Sequence, residues 1–199
     1  GTAAGEIVTS LLSFITAPDF EMPADADADN VYHVVVRASD GVLWDEQTLA
    51  VTVTDVASVL VVTTAVDTND SGIASGATYT VEWLNAHRGA DDAISLREAI
   101  IAANNSAGPT TIQFAIPGTG VHTITVGSAL PTITAPVILD ASTDDSFAVN
   151  GGRPAVVLDG AGVLGRGLEL AVGATGSVIR GLVIQGFDGH GMVVRASGA

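Results

Sequence analysis

The densest run of reactive side chains is an alternating acidic stretch, Asp25-Ala26-Asp27-Ala28-Asp29-Asn30. Ca²⁺ takes about six to eight oxygen ligands, and carboxylates clustered on a turn can supply several of them. If the segment is extended, the three aspartates fall on one side, because strand side chains alternate with period two. The plain alternative is a solvated acidic loop that keeps the surface soluble. The run is not an EF-hand, since the glycine and the terminal glutamate of that loop are misplaced. His33, His87 and His122 are scattered and lack a spacing such as H-x-x-x-H, so the sequence offers no zinc site from them. There is no cysteine, which excludes disulfides, thiol catalysis and thiolate-bound zinc. No Ser-His-Asp elbow, P-loop or dinucleotide fingerprint occurs.

The charge balance narrows the partners. The chain has 199 residues and a net charge of −15, with 22 acidic residues against seven basic ones, every one of them arginine. Such a surface repels phosphate backbones and anionic membrane surfaces, so nucleic acid and membrane insertion are not expected. Divalent cations offset its self-repulsion, and extracellular Ca²⁺ is the natural candidate. The acid is concentrated at one end: residues 1–55 carry ten acidic residues and only Arg37 as a base. No apolar run approaches a membrane span. The opening GTAAGEIVTS lacks the basic and apolar regions of a signal peptide and reads as mid-domain, which points to a segment of a longer protein.

The elements that must position these residues are mostly strands. With 23 glycines and 5% aromatics, the composition suits short strands and tight turns. Residues 31–38 and 48–54 read as strands, with Asp40-Gly41 as the turn between them. Glu6-Ile7-Val8 and Leu12-Ser13-Phe14 offer two more. Residues 59–66 form a β-prone run. One short helix is expected over about 95–104, because Ser95-Leu96-Arg97-Glu98 has the capping-box pattern. Asp91-Asp92 just before it would favour the positive end of the helix dipole. Arg97 would pair with a carboxylate at the surface, Val81-Glu82-Trp83-Leu84 would pack in the cap, and Trp44 would cover an open sheet face.

Beyond residue 110, short apolar strands recur between glycine-rich turns. Ile138-Leu139-Asp140 resembles Val157-Leu158-Asp159, 19 residues on, and that resembles Val183-Ile184-Gln185, 26 further. Gly167-Leu168-Glu169-Leu170 resembles Gly191-Met192-Val193-Val194, 24 on. Such recurrences predict stacked coils, each burying its inward residues on its neighbours.

Two family resemblances follow. Residues 14–55 resemble the C-terminal half of a bacterial cadherin-like repeat, through Pro18-Asp19-Phe20-Glu21, the acidic run, Ala38-Ser39-Asp40-Gly41 and Val53-Thr54-Asp55. The resemblance implies Ca²⁺ binding by Asp19, Glu21, Asp25, Asp27, Asp29, Asp40 and Asp55. After Asp55 the family's Asn- and Asp-containing linker is replaced by Ala57-Ser58-Val59. Residues 59–199 resemble a bacterial β-helix family marked by SLREAI, here Ser95-Leu96-Arg97-Glu98-Ala99-Ile100. That resemblance implies a helix capping the N-terminal end of a β-helix.

The expected fold is therefore all-β. A partial cadherin-like β-sandwich over 1–57 is followed by a right-handed parallel β-helix (pectin-lyase-like) over 58–199, with one short capping helix. The expected role is a non-catalytic structural or adhesive segment of a large secreted, cell-surface bacterial protein, stiffened by Ca²⁺ and self-assembling. Its partners would be neighbouring domains, copies of itself or surface carbohydrate. The competing readings are a carbohydrate-active β-helix and a carbohydrate-binding module. Gly189-His190-Gly191 with Asp144-Asp145 resembles part of the polygalacturonase pattern, and paired carboxylates could serve as acid and base for glycoside cleavage. The remaining elements of that pattern are missing. The simpler reading of Gly189-His190-Gly191 is a coil corner with positive-φ glycines.

Overall fold

The computed structural model of this chain describes residues 12–16, 18, 20, 23–54, 58–162 and 165–196. The chain divides into two compact units, Gly1–Val56 and Ala57–Ala199. Strands dominate and the helices are few and short, so the fold is largely β.

In the first unit, β1 (Val31–Ser39) pairs antiparallel with β2 (Trp44–Thr52), from Val31 opposite Thr52 to Ser39 opposite Trp44. The turn falls at the Asp40-Gly41 signal. Asp40 Oδ1 accepts from the backbone N–H groups of Val42 and Leu43 at 2.9 and 2.7 Å. Gly41 sits at φ 94°, where a Cβ would be strained. Leu12-Ser13-Phe14 is not a strand, and Glu6-Ile7-Val8 lies outside the described residues. No described residue of this unit is fully buried. Trp44 does not cover a sheet face. It is 61% exposed, and the Arg37 guanidinium stands 4.6 Å over its ring while bridging Glu46 on the facing strand at 2.6 Å.

The second unit runs β3 (Ser58–Val62), α1 (Val81–Ala86), α2 (Leu96–Asn105), β4 (Thr110–Phe114), β5 (His122–Thr125), β6 (Val137–Asp140), α3 (Asp145–Val149), β7 (Val156–Asp159), β8 (Arg166–Leu170), β9 (Val178–Arg180), β10 (Leu182–Gln185) and β11 (His190–Val194). Every named strand pair here is parallel. The sheet orders are β3-β4-β6-β9, β5-β7-β10 and β8-β11. Strict register stacks apolar side chains in columns. Leu60, Ile112, Leu139 and Ile179 align in the first sheet, and Ile124, Leu158 and Ile184 in the second. Leu60, Ile112, Ile124, Leu139 and Leu158 are at most 1% exposed. Each such side chain contributes roughly 1.5–3 kcal/mol when removed from water. A single strand could bury none of them, so stability comes from stacking.

Two of the three sequence recurrences are stacked rungs. Val157-Leu158-Asp159 pairs with Val183-Ile184-Gln185, and Leu168-Glu169-Leu170 with Met192-Val193-Val194. The third is not: β6 and β7 lie in different sheets. Their likeness is local. Each ends in an aspartate whose Oδ1 accepts from the N–H two residues on, Asp140 from Ser142 and Asp159 from Ala161.

The expected helix is α2, with both halves of its capping box formed. The expectation of a single helix fails, because α1 and α3 are also present. Polar side chains at Thr80 and Asp144 cap them, a signal that is short and easily passed over. α1 and α2 pack against β3, the outer strand of its sheet, and Asn85 Nδ2 donates to the Val59 carbonyl at 3.3 Å. Val81 and Leu84 are buried, so the expected cap packing of this segment holds. A helix layer over a strand edge satisfies groups that would otherwise invite pairing.

Adjacent rungs are also tied at their ends. Arg180 Nη2 donates to Asp140 Oδ2 at 2.6 Å. This hydrogen bond holds the Asp140 carboxyl below its ordinary range, against the opposing effect of burial. A carboxylate with a depressed folded-state pKa stabilises above its unfolded value and loses that contribution as pH falls through the folded one. Asp140→Asn should therefore be less stable than the parent at pH 7, by about 1 kcal/mol or less because Arg180 is solvent-screened. The gap should narrow progressively below about pH 4. Urea denaturation of both proteins across pH 2.5–7 checks this, and a gap independent of pH refutes it.

Candidate metal sites

Among the described residues, two groups of side chains bring three metal-ligating atoms within 4.8 Å of one another: Asp25, Asp27 and Asp29, and His122, Asp144 and Asp145.

The first group is the acidic run, assembled differently from the expectation. The segment is not extended. Residues 25–30 bend, and Ala28 and Asn30 adopt φ of 57° and 63°. The curl folds the run onto itself, so that Asp29 N–H donates to Asp25 Oδ2 at 2.9 Å. Asp29 Oδ1 in turn accepts from Val31 N–H at 2.8 Å, which starts β1. Asn30 Nδ2 donates to the Phe20 carbonyl at 3.0 Å and Tyr32 Oη accepts from Ala24 N–H at 3.0 Å, pinning the curl. Burial pushes the Asp25 carboxyl up, but hydrogen bonds with the backbone N–H groups of Asp25 and Asp29 and with the Asp27 and Asp29 side chains together hold it low. Two acceptor atoms, Asp25 Oδ1 and Asn30 Oδ1, are shielded from solvent without a hydrogen-bond partner.

Asp40 does not join this group. It lies at the far end of β1, nine residues from Val31, or about 30 Å at strand rise. One cation cannot take both. Its Oδ1 is engaged by the turn N–H groups described above. Asp19, Glu21 and Asp55 lie outside the described residues.

The second group joins residues 22 positions apart on successive turns of the stack. His122 opens β5 and faces inward, as Ile124 does two residues later. Asp144 caps α3, its Oδ1 accepting from Ser146 N–H at 3.1 Å and from the Ser146 hydroxyl. Its Oδ2 accepts from Ile116 N–H at 2.9 Å. Burial pushes this carboxyl up, but the Ser146 hydroxyl, the two N–H donors and His122 together bring it below its usual range. His122 Nε2 lies 3.6 Å from Asp144 Oδ1, beyond hydrogen-bond distance. His122 also lines a cleft of about 510 Å³, together with Asp91, Asp92, Ile116 and Pro117. Asp91 Oδ1 accepts from Ala93 N–H at 2.9 Å within its own loop.

The histidine beside Asp144 is thus His122. His190, weighed with Asp144 in the sequence, stands in β11 opposite Arg166. Gly189-His190-Gly191 is not a positive-φ corner. Gly189 is needed for close approach, since a Cβ there would collide with the Gly165 carbonyl, whereas a Cβ on Gly191 would meet nothing closer than the Ile184 side chain at 3.2 Å. No spacing rule could have found the His122 group, because strand stacking alone makes the two segments neighbours.

No family model, curated protein or solved structure matches this chain.

Proposed function

We propose that this chain is a non-catalytic structural and adhesive segment of a larger exported surface protein. In this reading Ala57–Ala199 is the first part of a right-handed parallel β-helix, and Gly1–Val56 is part of a cadherin-like, Ca²⁺-binding module. The observation that carries it is the set of parallel ladders in strict register, begun under a helical layer at β3 and continued to β9, β10 and β11. Those last rungs expose Val178, Met192 and Val194 at 44, 38 and 49%. Unpaired strand edges beside apolar side chains are a template for further coils or another copy. No helix among the described residues is long and apolar enough to cross a membrane. Support for Ca²⁺ comes from the converging carboxylates of Asp25, Asp27 and Asp29 and from the two unpartnered oxygens beside them.

Thermal melting with and without millimolar Ca²⁺ tests the calcium part. At ten times the dissociation constant a bound ion stabilises by about 1.4 kcal/mol, a shift of several degrees in the transition of a small unit. The triple variant Asp25→Asn, Asp27→Asn, Asp29→Asn should show no shift. An unchanged parent Tm, or an equal rise in the variant, overturns the calcium assignment. Sedimentation velocity across concentration tests the assembly part, and a monomer at every concentration overturns it.

A further inference from the structure

We propose that His122, Asp144 and Asp145 form a divalent transition-metal site of the zinc type, in the second unit and independent of the calcium reading.

His122 is 8% exposed, and its Nε2 is shielded from solvent without a hydrogen-bond partner. A buried ring nitrogen without a partner is costly unless a ligand occupies it. Its nearest charged neighbour, Asp144 Oδ1, stands at 3.6 Å. That separation is too long for a hydrogen bond and close to what a shared cation requires. Two ligand atoms each about 2.1 Å from tetrahedral zinc lie roughly 3.4 Å apart. Asp144 itself is held rigidly by Ser146 and Ile116 N–H, as a ligating carboxylate usually is by its outer partners. A carboxylate offers about four acceptor positions; the Ser146 N–H and hydroxyl fill the two on Oδ1 and Ile116 N–H takes one on Oδ2, so a metal takes the remaining Oδ2 position or displaces the Ser146 hydroxyl from Oδ1. The exposed Asp145 supplies the third ligand atom.

The surroundings favour a cation as well. Asp91 and Asp92 line the same cleft, and no arginine is among its described lining residues. One imidazole and two carboxylates suit Zn²⁺ with a fourth, open position for water or a ligand entering from the cleft. Hard ions such as Ca²⁺ gain little from an imidazole nitrogen, which distinguishes this site from the acidic curl.

The test is calorimetric titration of the full chain with Zn²⁺ in excess Ca²⁺, paired with visible absorption of the Co²⁺-loaded protein. One saturable site is expected, with the Co²⁺ spectrum of tetrahedral nitrogen–oxygen ligation. His122→Gln should abolish both signals. Asp145→Asn, a change on an exposed side chain, should weaken binding by about tenfold or more. The triple asparagine variant of Asp25, Asp27 and Asp29 should bind Zn²⁺ as the parent does. If His122→Gln fails to fold, Asp145→Asn decides alone. No saturable binding by the parent, or parental affinity in His122→Gln or Asp145→Asn, overturns the site.

Discussion

Arg97→Ala should lower the unfolding free energy by about 3–5 kcal/mol, the range for stranding one partner of a buried ion pair. The sequence suggests an ordinary surface pairing worth about 0–1 kcal/mol. The structure overturns that. The Arg97 and Asp67 side chains are only 14 and 5% exposed, and they meet through two parallel bonds, Nε to Oδ1 at 2.9 Å and Nη2 to Oδ2 at 2.8 Å. Arg97 also donates to the Ser128 and Ala129 carbonyls at 2.9 Å each, and Asp67 Oδ2 accepts from Gly127 N–H at 3.0 Å. One guanidinium thus ties the helix to two separate loops of the stack. Alanine would leave a carboxylate and two carbonyls without their donor. The double variant Arg97→Met, Asp67→Leu should cost clearly less than either single change, because no unpaired charge is left behind. Chemical denaturation of the four proteins gives the coupling. A loss under 1 kcal/mol for Arg97→Ala refutes the assignment.

Glu98→Ala is expected to cost about 2–5 kcal/mol, several times the usual price of a lost cap. An exposed capping interaction contributes about 1 kcal/mol. Glu98, however, is fully buried. Its Oε2 accepts from Ser95 N–H and its Oε1 from Ser71 N–H, both at 3.0 Å. Truncation leaves one buried donor, Ser95 N–H, and one half-buried donor, Ser71 N–H, unsatisfied, at about 1–3 kcal/mol for a buried one. Glu98→Gln keeps the shape and one acceptor, so it should cost about half as much. Equal losses for the two variants, or a loss for alanine no greater than 1 kcal/mol, would show that the group is only an ordinary cap.

Arg97 and Glu98 mark where local sequence rules stop and tertiary contacts take over. The SLREAI segment was legible as a capped helix because the capping box is a three-residue rule. Its depth of burial was not, since that depends on Asp67 and Ser71, about thirty positions earlier. Rungs 24 and 26 residues apart are legible because no α-helix is inserted between them. The pairing of β3 with β4 hides behind α1 and α2, and that of β6 with β9 behind α3, so no constant period survives.

By itself the sequence determined the local features: the Asp40-Gly41 turn, the N-cap of α2, most strand positions and the acidic run. Each follows from propensity, capping or alternation within a few residues. Only the tertiary structure decided which segments meet. It separated Asp40 from the acidic curl by the length of β1, exposed Trp44, buried Arg97 with Asp67, and set His122 against Asp144. Those outcomes depend on parallel register between rungs, where neighbours in space are tens of residues apart in the chain.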